Sequence, residues 1–140
     1  VETFEQDPAI EVATLAVRRE DRADYENPNV VKVVCDRSGN ALYFSRSPIP
    51  CYRDQTSQPF SYLKHLGIYG YQRDFLLKFV TWEMGVLENK EKLEQLRILE
   101  RGFSIRVIET AHDSWSVDTQ EDLDIAEAKI NLLSQKSGAC

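Results

Sequence analysis

The chain has 140 residues, 42% of them apolar, and a formal net charge of −6, which is enough for one domain with a real core and too little for two. Its densest cationic group (Arg18, Arg19, Arg22) is interrupted by Glu20 and Asp21, so the concentrated positive charge that nucleic-acid binding needs is missing. No apolar run approaches the roughly 18 residues of a membrane span, and no signal-peptide pattern opens the chain.

In chain order, acidic Val1 to Pro8 reads as a helix end running into a loop. Glu11 to Arg19, with Val12, Leu15 and Val17, reads as a strand, and Arg18 to Arg22 as a solvated turn. The turn signal Asn27-Pro28-Asn29 introduces the β-branched run Val30 to Cys35, with Lys32 breaking it. A short polar connection, Asp36 to Asn40, leads into Ala41-Leu42-Tyr43-Phe44, so residues 30–45 are expected to form a β-hairpin. Pro48 and Pro50 exclude a helix or a central strand for the segment after it, and Cys51 to Pro59 continues as a polar loop.

Tyr62 to Tyr71 returns to strand chemistry, with Gly67 and Gly70 inviting close approach by a ligand or another backbone. Arg73 to Trp82 is expected to be a short helix carrying Phe75, Leu76, Phe79 and Val80 on one side. Leu87 to Gly102 reads as the central amphipathic helix. Leu93, Leu96, Leu99 and Phe103 form its apolar stripe, Glu88–Lys92 and Lys90–Glu94 are paired four apart, and Gly102 is a left-handed cap. Ser104 to Thr110 alternates like a strand. Thr119 to Leu133 is a last amphipathic helix, with Thr119 as N-cap and Asp122 three residues on.

Strands interleaved with helices argue for an α/β fold with an antiparallel hairpin added, although the helices are few for covering both faces of a sheet. Val1 in place of Met and the loose tail Ser134–Cys140 suggest a portion of something longer. Three cysteines (Cys35, Cys51, Cys140) without a Cys-x-x-Cys fit a reducing cytoplasm better than a disulfide framework.

The sequence lacks a dinucleotide glycine fingerprint, a Walker loop, a nucleophile elbow and a zinc-protease motif. The candidate chemistry lies elsewhere. His65 is either a satisfied core histidine or a donor aimed at a carboxylate or hydroxyl, with Tyr69 on the same strand face. Arg46 is either a surface cation or, held by the rigid Pro-Ile-Pro segment, a fork for a carboxylate. Glu94 and Gln95 place an acceptor and an amide beside the apolar stripe, where they could bond hydroxyls. Asp118 is either a helix-start acid or a hard oxygen ligand for magnesium.

Four ordered stretches carry a resemblance: Ala41–Pro50 (Ala-Leu-Tyr-Phe-Ser-Arg-Ser-Pro-Ile-Pro), His65–Tyr71 (His-Leu-Gly-Ile-Tyr-Gly-Tyr), Leu93–Arg97 (Leu-Glu-Gln-Leu-Arg) and Val117–Leu123 (Val-Asp-Thr-Gln-Glu-Asp-Leu). Together they resemble the 3-deoxy-manno-octulosonate (Kdo) cytidylyltransferases from about Asn27 to Ile130. The resemblance implies a nucleotide-diphospho-sugar-transferase-like three-layer α/β/α fold with a mixed sheet. Residues 1–140 would be an incomplete C-terminal, sugar-binding and dimerisation part of one domain. It implies transfer of CMP from CTP to Kdo with release of pyrophosphate, aided by Mg2+, in a cytoplasmic homodimer that supplies lipopolysaccharide synthesis.

In that resemblance Arg46, His65, Tyr69, Glu94 and Gln95 line the sugar pocket and Asp118 holds the metal. The segment Glu83-Met84-Gly85-Val86, and Ser116 and Gln120 around Asp118, depart from the family pattern. The family's glycine- and basic-rich triphosphate loop and its acidic Gly-Asp-Glu-Pro segment occur nowhere in the 140 residues, so this chain alone is expected to be inactive. A cytidylyltransferase for another sugar acid and a non-catalytic dimeric sugar-acid-binding module are the alternatives.

Overall fold

The computed structural model describes residues 2–53, 59–113, 123, 124 and 127. Its sheet is organised around β1 (Val12–Arg19), which runs antiparallel to β4 (Tyr62–Tyr71) and parallel to β5 (Arg106–Glu109). Beyond β4 come β2 (Lys32–Cys35) and then β3 (Ala41–Ser45), paired as the expected hairpin. The order β3-β2-β4-β1-β5 makes one mixed five-stranded sheet.

Alternation along β1 sends Val12, Thr14 and Ala16 to one face and Ala13 and Val17 to the other, and all five are buried. The first face carries the main core, where Val12 and Ala16 pack with Val33, Phe44, Phe75, Phe79, Leu96 and Ile105. The second face holds an aromatic group in which Tyr25 lies 5.1 Å from Phe60 and 5.2 Å from Tyr62. Tyr25 comes from α2 (Arg22–Glu26), a helix that begins at the last residue of the expected turn and was not expected from the sequence. Asp21 creates that helix start, because its Oδ1 accepts from the backbone N–H groups of Ala23 and Asp24. Arg18 and Arg19 belong to the end of β1, as the strand expected to reach Arg19 has it, and not to the turn. At the N-terminus, α1 (Glu2–Gln6) is the expected helix end.

Lys32 interrupts a β-branched run in sequence, yet it is fully buried within β2. Its ammonium donates to the carbonyl oxygens of Asn27, Val30 and Arg46 at 3.0, 2.6 and 2.5 Å. Three donors meet three acceptors, so the buried cation is satisfied without a carboxylate. Desolvation, and then the neighbouring Arg46 charge, lower its pKa.

The two glycines of β4 act differently from the expectation. At Gly70 an added Cβ would lie 2.8 Å from the ring of Phe4, so a side chain of α1 makes the close approach. Gly67 has open space around it and φ +69°, a left-handed conformation that favours glycine. It sits in a bulge: Thr14 faces Tyr69 and Ala16 faces His65, so Leu66, Gly67 and Ile68 stand opposite Leu15 alone.

Of the first expected helix, α3 (Arg73–Phe79), Phe75 and Phe79 are buried while Leu76, Leu77 and Val80 are exposed. The expected central helix is two short ones, α4 (Val86–Glu91) and α5 (Leu96–Glu100), separated at Lys92, which is left-handed with φ 55°. The break has a geometric reason. Steps of three residues fall short of a 3.6-residue turn by ~60° each, so on one straight helix Leu93 and Leu99 would lie ~120° apart, towards opposite edges of the buried stripe. With the break, Leu93, Leu96 and Ile98 are buried and Leu99 is half-buried.

The expected four-apart pairs are replaced as well. Glu88 bonds Arg97 across the two helices, and Lys92 donates to Asn89 at 2.7 Å. Gly102 takes its left-handed cap at φ +79°. The Thr119–Leu133 helix lies outside the described residues except for Leu123, Asp124 and Glu127, which are helical. No described helix is long and apolar enough to cross a membrane.

Candidate functional site

The bulge in β4 assembles the site. Four residues of regular strand span ~13 Å, yet the rings of His65 and Tyr69 are 5.4 Å apart, because the intervening residues loop out. His65 is buried edge-on to Phe44, with 4.9 Å between centroids. Tyr69 stacks on Tyr71 at 5.8 Å, and Tyr71 in turn stacks on Phe79 at 5.9 Å, which joins the site to the core.

Glu94 and Gln95 lie in the turn between α4 and α5. The Glu94 carboxylate is close enough to Tyr69 and Tyr71 to help burial raise both phenol pKa values, that of Tyr71 to about 12. Gln95 is buried. The Tyr69 hydroxyl, which Thr14 approaches, and Gln95 Nε2 are buried without a hydrogen bond of ordinary length among the described residues, as are Arg19 Nε, Tyr62 Oη and Asp113 Oδ1. Leaving such a group unpaired costs about 1–3 kcal/mol, so each calls for an explanation.

Arg46 follows β3, two residues after the Phe44 that packs on His65. Its Nε donates to the Glu91 carbonyl at 2.8 Å and Nη1 to the Pro28 carbonyl at 3.0 Å. The Glu91 carboxylate accepts from Ser45 Oγ at 2.7 Å and from the Arg46 backbone N–H at 3.0 Å. The guanidinium is therefore held by neutral carbonyls, and no described carboxylate pairs with it.

His65 and Tyr69 thus come together with the Glu94 carboxylate near Tyr69, Gln95 follows Glu94 in the same turn, and Arg46 is anchored to the end of α4, three residues before Glu94. Asp118 lies outside the described residues, and among those described no group of three or more His, Cys, Asp or Glu is arranged to hold a metal. Two clefts of about 310 Å³ each lie elsewhere, one beside Asp7 and Arg106 and the other beside Met84 and Asn89. Sequence reasoning missed Thr14, Tyr71 and Glu91. Thr14 had a signal: it is a polar residue between Val12 and Ala16 on what alternation makes the core face.

Burial moves the His65 pKa from 6.5 down to about 4, so the folded protein holds this ring neutral. Between those values the unfolded chain binds a proton that the folded one refuses. This contribution to stability is complete above pH about 6.5 and is lost as pH falls towards about 4, amounting to ~3 kcal/mol. Urea unfolding of the protein and of His65→Gln across that window is expected to show the steeper acid loss in the unsubstituted chain. Parallel curves would contradict it.

A family model described as cytidylyltransferase matches residues 1–110. The 3-deoxy-manno-octulosonate cytidylyltransferase of Solibacter usitatus is 52% identical over 118 residues, covering 84% of this chain and 46% of the relative. That of Fusobacterium nucleatum is 47% identical over 137 residues, covering 98% and 54%. A solved structure of CMP:2-keto-3-deoxy-manno-octonic acid synthetase complexed with CTP superposes with a TM-score of 0.84 at 40% identity, covering 96% of this chain and 54% of that one. The chain spans about half the length of the relatives it matches.

Proposed function

This chain belongs to the cytidylyltransferase family, and from that premise we propose that it forms the sugar-acid-binding portion of an enzyme making CMP-Kdo from CTP and Kdo. The observation that carries the proposal is the His65–Tyr69 ring pair with the Glu94 carboxylate near the Tyr69 phenol, together with buried Gln95 Nε2 in the adjoining turn, which has no hydrogen bond among the described residues. A polyhydroxylated acid supplies what this set lacks: an acceptor for Gln95 Nε2 and hydroxyl donors for Glu94. Arg46 is the cation for the sugar carboxylate.

In the reaction the anomeric hydroxyl of Kdo attacks the α-phosphorus of CTP. A new P–O bond forms, the bond to the pyrophosphate leaving group breaks, and the hydroxyl proton passes to solvent water. The residues of this chain bind and orient the sugar for that in-line attack. Magnesium, with Asp118 as a carboxylate ligand, supplies neutralisation of phosphate charge when bound. The enzyme acts as a homodimer in the cytoplasm, feeding lipopolysaccharide synthesis. The reading is supported by relatives that bear the Kdo cytidylyltransferase name and by a structural neighbour whose complex contains CTP.

The test is pyrophosphate release. The enzyme completed with a CTP-binding half is expected to release pyrophosphate only with both CTP and Kdo present, and to prefer Kdo to sialic acid. The 140-residue chain alone is expected to release none. Turnover by the chain alone, or a preference for sialic acid, would overturn the corresponding part of the proposal.

A further inference from the structure

Thr14 is buried in the middle of β1, and its hydroxyl bonds two groups of β4, the Ile68 carbonyl oxygen at 2.8 Å and His65 Nε2 at 3.0 Å, and also approaches the Tyr69 hydroxyl, which its second lone pair can accept from. A threonine hydroxyl has one proton and two lone pairs. The carbonyl can only accept, so that proton goes to Ile68. Towards His65 the hydroxyl therefore accepts, and Nε2 must carry a hydrogen. In a neutral imidazole the other nitrogen then carries none.

We propose that Thr14 is a positioning residue that locks His65 as its Nε2–H tautomer, so that Nδ1 meets the sugar acid as a hydrogen-bond acceptor. The geometry that does this is the bulge at Leu66–Ile68, which brings both the Ile68 carbonyl and the His65 ring within reach of one hydroxyl. Nδ1 has no protein partner among the described residues. Burial also keeps the ring neutral at physiological pH, so a second donor does not appear there.

The consequence concerns which part of a ligand His65 meets. A carboxylate offers only lone pairs at neutral pH and cannot bond an acceptor, whereas a hydroxyl can donate to one. His65 is thereby assigned to a hydroxyl, and the carboxylate is left to Arg46. This differs from the donor role that the sequence suggests for His65. The ligand half of the inference rests on the sugar-acid reading above; the tautomer does not.

The experiment is long-range 1H–15N correlation NMR on the 140-residue chain labelled with 15N-histidine, near pH 7. Only His65 and His112 contribute, and His65→Gln assigns them. His65 is expected to show a single Nε2–H tautomer in the unsubstituted chain and in Thr14→Ser, with Nδ1–H populated in Thr14→Val. An Nδ1–H tautomer or a mixture in the unsubstituted chain overturns the proposal, and this reading needs no variant to fold. In the completed enzyme, Thr14→Val is expected to raise KM for Kdo about tenfold, one hydrogen bond's worth, with KM for CTP unchanged and Thr14→Ser restoring it. A locked tautomer with an unchanged Kdo KM in Thr14→Val overturns the acceptor role. Absence of any Kdo use by the completed enzyme defeats the sugar-acid reading and leaves the tautomer result standing.

Discussion

Replacing Arg97 by methionine is expected to destabilise the fold by about 3–5 kcal/mol, the usual penalty for stranding one member of a buried ion pair. The guanidinium donates through Nε and Nη2 to the two Glu88 carboxylate oxygens, both at 2.6 Å. Nη1 donates to the Trp82 carbonyl at 2.9 Å, and the group lies 5.2 Å from the Phe79 ring centroid. The side chains of Arg97 and Glu88 are only 13% and 8% exposed, so solvent screens the pair little. Glu88 also accepts from the Gly85 backbone N–H, which starts α4, so one carboxylate caps one helix and binds the other.

Loss of Arg97 leaves that carboxylate buried with one weak donor. The double variant Glu88→Leu/Arg97→Met removes both charges and is expected to recover most of the loss. The hydrogen bonds from Arg97 and from Gly85 hold the Glu88 pKa below its ordinary value. The pair therefore contributes fully above the ordinary carboxylate range and fades as pH falls through the lowered folded value. Urea unfolding at neutral and acid pH tests all of this. A loss under 1 kcal/mol for the single variant, or no recovery in the double, would show that the pair does not join the helices as described.

The same pair governs the site, because Glu94 and Gln95 lie in the turn it spans, and Arg97 Nη2 also comes within 3.6 Å of Glu94. Partial loosening of α4 against α5 is thus expected to weaken sugar binding before the protein unfolds.

For Arg46→Ala in the completed enzyme, KM for Kdo is expected to rise about 10- to 100-fold while KM for CTP stays within about twofold. A hydrogen bond to a charged group is worth about 1.5–3 kcal/mol, and each 1.36 kcal/mol is a factor of ten. The structure supports this assignment by what Arg46 lacks. Its Nε and Nη1 are fixed on backbone carbonyls, Nη2 bonds nothing among the described residues, and its charge meets no described carboxylate. A preset fork with one arm free and its charge uncompensated suits an incoming anion.

Arg46→Lys keeps the charge and loses the fork, so it is expected to fall between the two. Because Ala also strips donors from the Glu91 and Pro28 carbonyls, unfolding midpoints are measured alongside. Equal rises in both KM values would assign Arg46 to general stability instead of the sugar carboxylate.

Much of this molecule was legible before folding was considered. The strands at residues 12–19, 32–35, 41–45, 62–71 and 106–109 announce themselves by residue type and two-residue alternation, which reports on nearest neighbours along the chain. The hairpin follows from a short connection, and the Gly102 cap from the freedom of one residue. The stretches His65–Tyr71 and Leu93–Arg97 named candidate residues, of which the fold brings His65 and Tyr69 into ring contact.

Other features depended on how the folded backbone turns partners towards one another, some of them near in sequence and some far. Lys32 looks like a polar break until the carbonyls of Asn27, Val30 and Arg46 surround it. Leu87 to Gly102 has the spacing of one helix, but the core claims Leu93, Leu96 and Ile98 together, and the Glu88–Arg97 bond holds the resulting break. The His65–Tyr69 contact needs three residues of β4 opposite one of β1, a pairing that neither strand specifies by itself. Periodicity determined which segments are strands; register, burial and ion pairing between segments decided where each candidate side chain stands.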